Sequence, residues 1–254
     1  MNSPLHENIN NFRCTSLLKE MIAPQSVIHT FLFFAGMPEF ALAEHGHFVA
    51  AHTNKYVIYE FWKCVQEDSQ KIVKIVEKLF PQINNKIIFH LLQETWPTYP
   101  NPFLRAALFF LLNRCSQDGL ISAGKLDYSR YNPLSLAHLK KFKIDNFHLQ
   151  LDHEENFINS FQTIDEVDYM LFPIGKYNYN FFEYGKSIGY ETTSIHHKKF
   201  HEAISSVKDK WIVLYKHHPA VHLLYKEYSI SMLDKYGRQT KEKDNCEELV
   251  IANF

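Results

Sequence analysis

Apolar and polar positions along this 254-residue chain change their period several times, and each change predicts an element. Gln25 to Gly36 ends in a compact apolar run, Phe31-Leu32-Phe33-Phe34-Ala35, whose length and closing Gly predict a buried strand delivering a turn. A helix over Glu39 to Glu44 and a second short strand, His47 to His52, follow. From Lys55 to Phe80, Val57, Ile58, Phe61, Val65, Ile72, Ile75 and Leu79 recur at helical spacing, with Pro81 expected to stop the helix. Strand, helix, strand, helix is the rhythm of a parallel sheet.

Between Pro97 and about Asn132 the chain changes character. A Pro-punctuated entry leads to an apolar helix, Phe103 to Leu112, and then to a polar stretch in which Asp118-Gly119 supplies turn chemistry for a hairpin or loop. The α/β rhythm then resumes. Phe147 to Leu151 and Val167 to Phe172 are expected as strands, the second broken by Pro173, with a helix over Glu155 to Phe161 between them. A helix over Lys198 to Val207, a strand over Trp211 to Tyr215 and a short helix over Val221 to Tyr228 come next, and Tyr228 to Met232 with Leu249 to Asn253 suggest a closing antiparallel pair. The expected architecture is one α/β domain over residues 1–254 with a mostly parallel sheet, in which residues 55–145 form a helical and hairpin insertion.

Composition narrows what such a domain can do. With 27 basic and 28 acidic residues, the chain exerts no global pull on a polyanion, so any nucleic-acid contact has to be a local patch. Four widely spaced cysteines, Cys14, Cys64, Cys115 and Cys246, contain no CxxC pair and read as free thiols rather than a disulfide or zinc framework. The N-terminus lacks the basic-then-apolar build of a signal peptide, and the longest apolar run, Ala106 to Leu112, is too short to span a bilayer; a cytoplasmic protein without membrane contact is expected.

Four segments, in order, resemble the Dam-type DNA adenine methyltransferases and together cover nearly the whole chain. Leu32-Phe33-Phe34-Ala35-Gly36-Met37-Pro38 is similar to the family's Glu-Pro-Phe-x-Gly-x-Gly turn, where glycines let the backbone approach S-adenosylmethionine. Phe34 and Gly36 survive as vestigial cofactor positions, but Leu32 replaces the acid and Pro38 the second Gly. His52-Thr53-Asn54 resembles the family's Asp-x-Asn, with His52 where the ribose-binding acid belongs; the Gly-Gly-Lys-like entry, expected near Phe12-Arg13-Cys14-Thr15, is absent. Ala107 to Leu120, with its Asn113-Arg114, is similar to the apolar helix and Asn-Arg-x-x-Phe-Asn-Gly-Leu that open the family's DNA-reading hairpin. The fourth segment, Val167 to Gly175, stands in place of the strand ending in Asp-Pro-Pro-Tyr. There Phe172-Pro173-Ile174-Gly175 offers neither the carboxylate that accepts from a flipped adenine nor the ring that stacks on it.

The resemblance therefore implies a Rossmann-like methyltransferase fold whose catalytic motif is degenerate, so no catalytic residue and no cofactor is expected. On this reading the chain is an inactive methyltransferase-like protein, a DNA-binding or complex-forming subunit in modification, restriction or phage defence. Asn113, Arg114, Lys125, Tyr128, Arg130 and Tyr131 would contact double-stranded DNA, the basic side chains on phosphate and the aromatic ones by stacking. A protein partner such as an active methyltransferase or a nuclease is compatible with this reading. Two alternatives stay open: an active, divergent adenine methyltransferase using S-adenosylmethionine, and a protein-interaction module that does not bind DNA.

Other constellations carry less. His197 and His201 stand i,i+4 on an expected helix, close to His196 and the pair His217-His218, but no third metal ligand is evident and no metal site is expected. Asp168 lies about 13 Å along a strand from Phe172, and Glu166 farther still, too far to replace the missing carboxylate.

Overall fold

The computed structural model describes residues 3–6, 13–122, 124–152, 157–164, 167–177, 180–181 and 193–254. It is an α/β fold built on a seven-stranded sheet. The elements are α1 (Thr15–Met21), β1 (Val27–Thr30), α2 (Met37–Glu44), β2 (Phe48–Thr53), α3 (Tyr56–Ile83), α4 (Lys86–Thr95), α5 (Pro102–Cys115), α6 (Pro133–Lys140), β3 (Phe147–Leu151), α7 (Phe157–Gln162), β4 (Tyr169–Gly175), β5 (Asn180–Phe181), β6 (Thr193–Ser194), α8 (His197–Ser205), β7 (Lys210–Lys216), α9 (Pro219–Leu224), β8 (Ser229–Leu233) and β9 (Glu248–Ala252). The sheet order is β3-β2-β1-β4-β7-β9-β8. The first five strands run parallel, β9 runs antiparallel to β7, and β8 antiparallel to β9. A separate two-strand pair joins β5 and β6.

Strand alternation divides the buried side chains between two faces. Ile28, Val49, Ala51, Leu149, Leu171, Ile212 and Leu214 belong to one apolar cluster, which also takes in residues of α1, α2, α3, α5 and α6. Met170, Phe172, Ile174, Trp211, Val213 and Tyr215 belong to the other, beneath Phe161 of α7, Phe200 of α8 and Val221 of α9. Segment 55–145 forms the crossover between the adjacent parallel strands β2 and β3, and its helices share the first cluster with the sheet.

Several sequence expectations shift in detail. The run Phe31 to Gly36 lies beyond β1, which ends at Thr30; its apolar side chains belong to a buried loop. Pro81 sits within α3, in its last turn, and the interruption comes earlier, at Asp68 (φ −157°, ψ 83°), whose Oδ1 accepts from Lys71 N and so caps a second helical stretch. Pro173 does not break β4, which continues to Gly175 through a register shift against β7 between those two residues. Helices α4 and α6 have no counterpart in the hydrophobic reading, although Asn85 and Asn132 cap them through their side chains.

Phe109 of α5 ties the crossover helices together, its ring 5.0 Å from Phe61 and 5.5 Å from Trp96 between centroids. Phe109→Ala is expected to cost about 3–5 kcal/mol in urea unfolding with an unchanged denaturant slope. A loss below about 1 kcal/mol would contradict a core shared between these helices and the sheet.

Candidate functional site

The strand order reverses between β1 and β4, and in open parallel sheets ligands bind at the carboxyl ends of strands flanking such a switch point. All the cofactor-type positions from the sequence converge there: the loop with Phe34, Gly36 and Pro38 after β1, His52 near the end of β2, and Phe172 to Gly175 in β4. Protein side chains occupy the place. Phe31 stacks on His52 at 4.9 Å and 19° and on Phe172 at 5.0 Å and 14°. Phe161 meets both Phe31 and Phe172 edge-on, and Phe200 closes on Phe172 at 5.2 Å. Phe31 and Phe172 are fully buried.

The backbone of the loop is shaped for this filling. Leu32 takes φ 61°, a left-handed conformation uncommon for a branched residue, and is buried. Gly36 also has positive φ, and a Cβ built on it would lie 2.4 Å from Cζ of Phe40, so the ring of Phe40 fills the space over the glycine. Pro38 stands in the first turn of α2, where its missing N–H is no loss. Phe34 is anchored through its carbonyl, which accepts from Trp62 Nε1 at 2.6 Å.

His52, compared in the sequence with a ribose-binding acid, is the middle of a polar chain that sequence reading did not anticipate. Its Nδ1 lies 2.9 Å from Asp152 Oδ1, and its Nε2 lies 2.9 Å from Nδ1 of His29. With both rings neutral, His29 donates to His52 and His52 donates to Asp152. Burial, reinforced by the neighbouring His52, lowers the His29 pKa to about 4. On the other face of β1, Thr30 Oγ1 donates to Glu39 Oε1 at 3.1 Å, and complete burial raises the Glu39 pKa to about 7. Alternation along β1 and β2 places His29 and His52 on the same face; the pairing with Asp152, 100 residues on, depends on strand order.

The expected DNA-contacting residues divide into two sets. Segment 115–127 closes like a hairpin: Ser116 and Leu126 form an antiparallel bridge, Gln117 N donates to Lys125 O, and Asp127 N donates to Cys115 O. Lys125 is exposed on it, and Arg130 is exposed just beyond it. Asn113 is fully buried; its Oδ1 accepts from His6 N, and its Nδ2 donates to the carbonyls of His6 and Gly119. Arg114 is buried as well, with Nε donating to Pro4 O and Nη2 to Ser3 O. Tyr131 stacks on Phe80 at 3.8 Å, and Tyr128 donates to Ile83 O, so both rings are packed against α3.

The histidine pair on α8 is structural in its contacts. His197 Nδ1 lies 2.9 Å from Tyr215 Oη, and Tyr177 lies sandwiched between His197 and His218 at 4.4 and 4.6 Å, while His201 meets Tyr225 edge-on. Among the described residues no group of three or more His, Cys, Asp or Glu is placed to hold a metal ion. Asp168 Oδ2 accepts from Val27 N at the opposite, amino-terminal ends of β1 and β4, and Glu166 lies outside the described residues. No helix among the described residues is long and apolar enough to cross a membrane. No known family model matches the chain, and no curated protein matches it.

The buried carboxyl of Glu39 gives a pH signature. Its folded pKa is raised, so the stability it contributes is full below about pH 4.5, its ordinary value, and is lost as pH rises through about 7. Glu39→Gln is expected to remove that loss, gaining on the order of 2 kcal/mol relative to the parent at pH 8 in denaturant titrations. Parallel stability curves for the two proteins between pH 5 and pH 8 would assign the effect to another group.

Proposed function

We propose that this chain is a catalytically inert protein resembling the Dam-type adenine methyltransferases, one that binds duplex DNA through its 115–131 loop and serves as a binding or complex-forming subunit in modification, restriction or phage defence. The observation that carries the inert reading is the buried stack of Phe172 on Phe31 at the strand ends. Methyl transfer to an exocyclic amine needs an acceptor that turns the nitrogen lone pair toward the donor, and a benzyl side chain has none. S-adenosylmethionine does not fit the residues present: the approach over Gly36 is taken by Phe40, and the Asp152 carboxylate beside the end of β2 is engaged with His52.

The binding half of the reading rests on the retained loop. A mostly parallel sheet ending in an antiparallel pair is compatible with the resemblance. Lys125 and Arg130 stand exposed on a loop held by backbone hydrogen bonds, a geometry suited to phosphate contacts, which orient a protein on a duplex without reading its sequence. With a formal net charge of −1, the whole molecule supplies no general attraction, so such contacts would be few and local.

Fluorescence anisotropy with a labelled duplex tests this reading. Affinity is expected to fall steeply from about 50 to about 200 mM salt, and Lys125→Ala with Arg130→Ala together is expected to flatten the logarithmic salt dependence by about two. Absence of binding to any duplex at the lower salt would overturn the DNA reading and leave a protein-interaction module. Binding that is unchanged in the double variant would place the contact elsewhere.

A further inference from the structure

The turn after β8 holds an aromatic ring in solvent. Tyr236 is 69% exposed, more than any other aromatic side chain among the described residues. The backbone beneath it is firmly built. Asp234 N donates to Arg238 O, Gly237 N donates to Asp234 O, and Leu233 bridges Gln239, so residues 234–238 close a short hairpin. Asp234 braces the hairpin from within, its Oδ1 accepting from the backbone N–H groups of both Tyr236 and Arg238. Gly237 takes φ 79°, and a Cβ there would lie 2.7 Å from Arg13 O, so glycine lets the turn seat against Arg13. Arg13 fastens it further: its Nε donates to Lys235 O, while its Nη1 lies 3.5 Å from Oε1 of the buried Glu248.

Two cations stand over the ring. Lys235 Nζ is 5.1 Å and Arg238 Cζ 4.9 Å from its centroid. Arg238 is tied to Asp234 Oδ2 through Nε at 3.0 Å and Nη2 at 2.9 Å, so its charge is matched inside the turn. Lys235 has no carboxylate within ion-pair distance among the described residues. Beyond the turn Lys241, Glu242, Lys243 and Asp244 alternate in sign, so this segment exerts no broad electrostatic pull. Register fixes where the turn stands. Lys216 of β7 pairs with Glu248 of β9, and Glu248 with Leu233 of β8, so the turn leaves the sheet at the carboxyl ends of the parallel strands, the end at which the strand order reverses.

We propose that residues 234–238 form a stacking platform for an unpaired base of single-stranded nucleic acid, with the base on the ring of Tyr236 and Lys235 on the adjoining phosphate. Every base has a π face, and stacking on an aromatic side chain tolerates any sequence, so such a site needs a rigidly held ring with a cation beside it. A protein pocket closing on this ring would bury Lys235 with no countercharge. A nucleotide brings the flat face and the negative charge together. The platform shares no residue with the 115–131 loop and stands whether or not that loop binds duplex DNA, because paired bases keep their faces inside the stack.

Fluorescence anisotropy of the full-length protein with a labelled oligothymidylate tests the platform. Tyr236→Ala is expected to weaken binding about tenfold, and Tyr236→Phe, which keeps the ring, to stay within about twofold of the parent. A strand of the same length without bases is expected to bind the parent and Tyr236→Ala equally and weakly. Lys235→Ala is expected to flatten the logarithmic salt dependence by about 0.7, the value of one phosphate contact on a single strand. Because the ring stands in solvent, Tyr236→Ala is expected to keep the parent's unfolding midpoint in urea. Absence of single-strand binding by the parent, equal affinity of Tyr236→Ala, or a base-free strand held by the parent as tightly as oligothymidylate would each overturn the platform. Lys125→Ala with Arg130→Ala separates this proposal from the duplex reading: single-strand binding that survives in that variant supports the platform, whatever happens to the duplex. Single-strand binding lost there would place the strand on the loop and overturn it.

Discussion

The contact on which the reading of this molecule depends is the face-to-face stack of Phe31, just past the end of β1, on Phe172 of the neighbouring β4, 5.0 Å apart at the point where the strand order reverses. An open parallel sheet leaves a crevice there by construction, because the connections leave in opposite directions. Here the crevice is closed by apolar rings, with His52 stacked on the far side of Phe31 and Phe161 and Phe200 packed edge-on around the pair. Burying each ring is worth roughly 2–3 kcal/mol of transfer free energy, and aromatic geometry adds to it. A ligand entering the crevice would have to displace that packing. The rings that close the crevice thereby also stabilise the fold around it.

Polar groups near the crevice follow the same logic. Asp152, His52 and His29 satisfy one another in a chain, and Glu39 leans on Thr30. Farther along the strand ends, Glu248 is buried between Lys216 and Arg13 and also accepts from Cys14 N. Each of these three carboxylates, Asp152, Glu39 and Glu248, is turned toward a protein partner. The surface of the loop is different: Lys125 and Arg130 project into solvent, and Arg114 meets only carbonyl oxygens. Cationic side chains thus stand in solvent on the loop, alongside Asp118 and Asp127, while the crevice is lined by rings and by paired polar groups.

Much of the architecture was legible because strand burial and helix periodicity are local. The strands β2, β3 and β7 and the antiparallel close lie within a residue or two of their expected bounds. What failed did so for physical reasons. Phe31 to Ala35 is as apolar as a strand because a loop that fills a crevice buries its side chains as a strand does, and composition alone does not separate the two. Pro81 lies within the last turn of α3, which ends two residues later, while the break at Asp68 was written in a capping side chain rather than in hydrophobicity. Asn113 and Arg114 read as surface contacts from their neighbours in sequence, yet the segment that covers them lies more than 100 residues away. Tyr128 and Tyr131 likewise pack on α3, a contact no local pattern encodes.

The central claim, that this crevice is closed to methyl-transfer chemistry, is tested most directly with S-adenosylmethionine labelled in its methyl group. Purified protein and unmethylated duplex DNA would be incubated together and the DNA counted. The account predicts incorporation no greater than in a protein-free control. Label appearing in adenine, in proportion to the amount of this protein and persisting through successive purification steps, would contradict it.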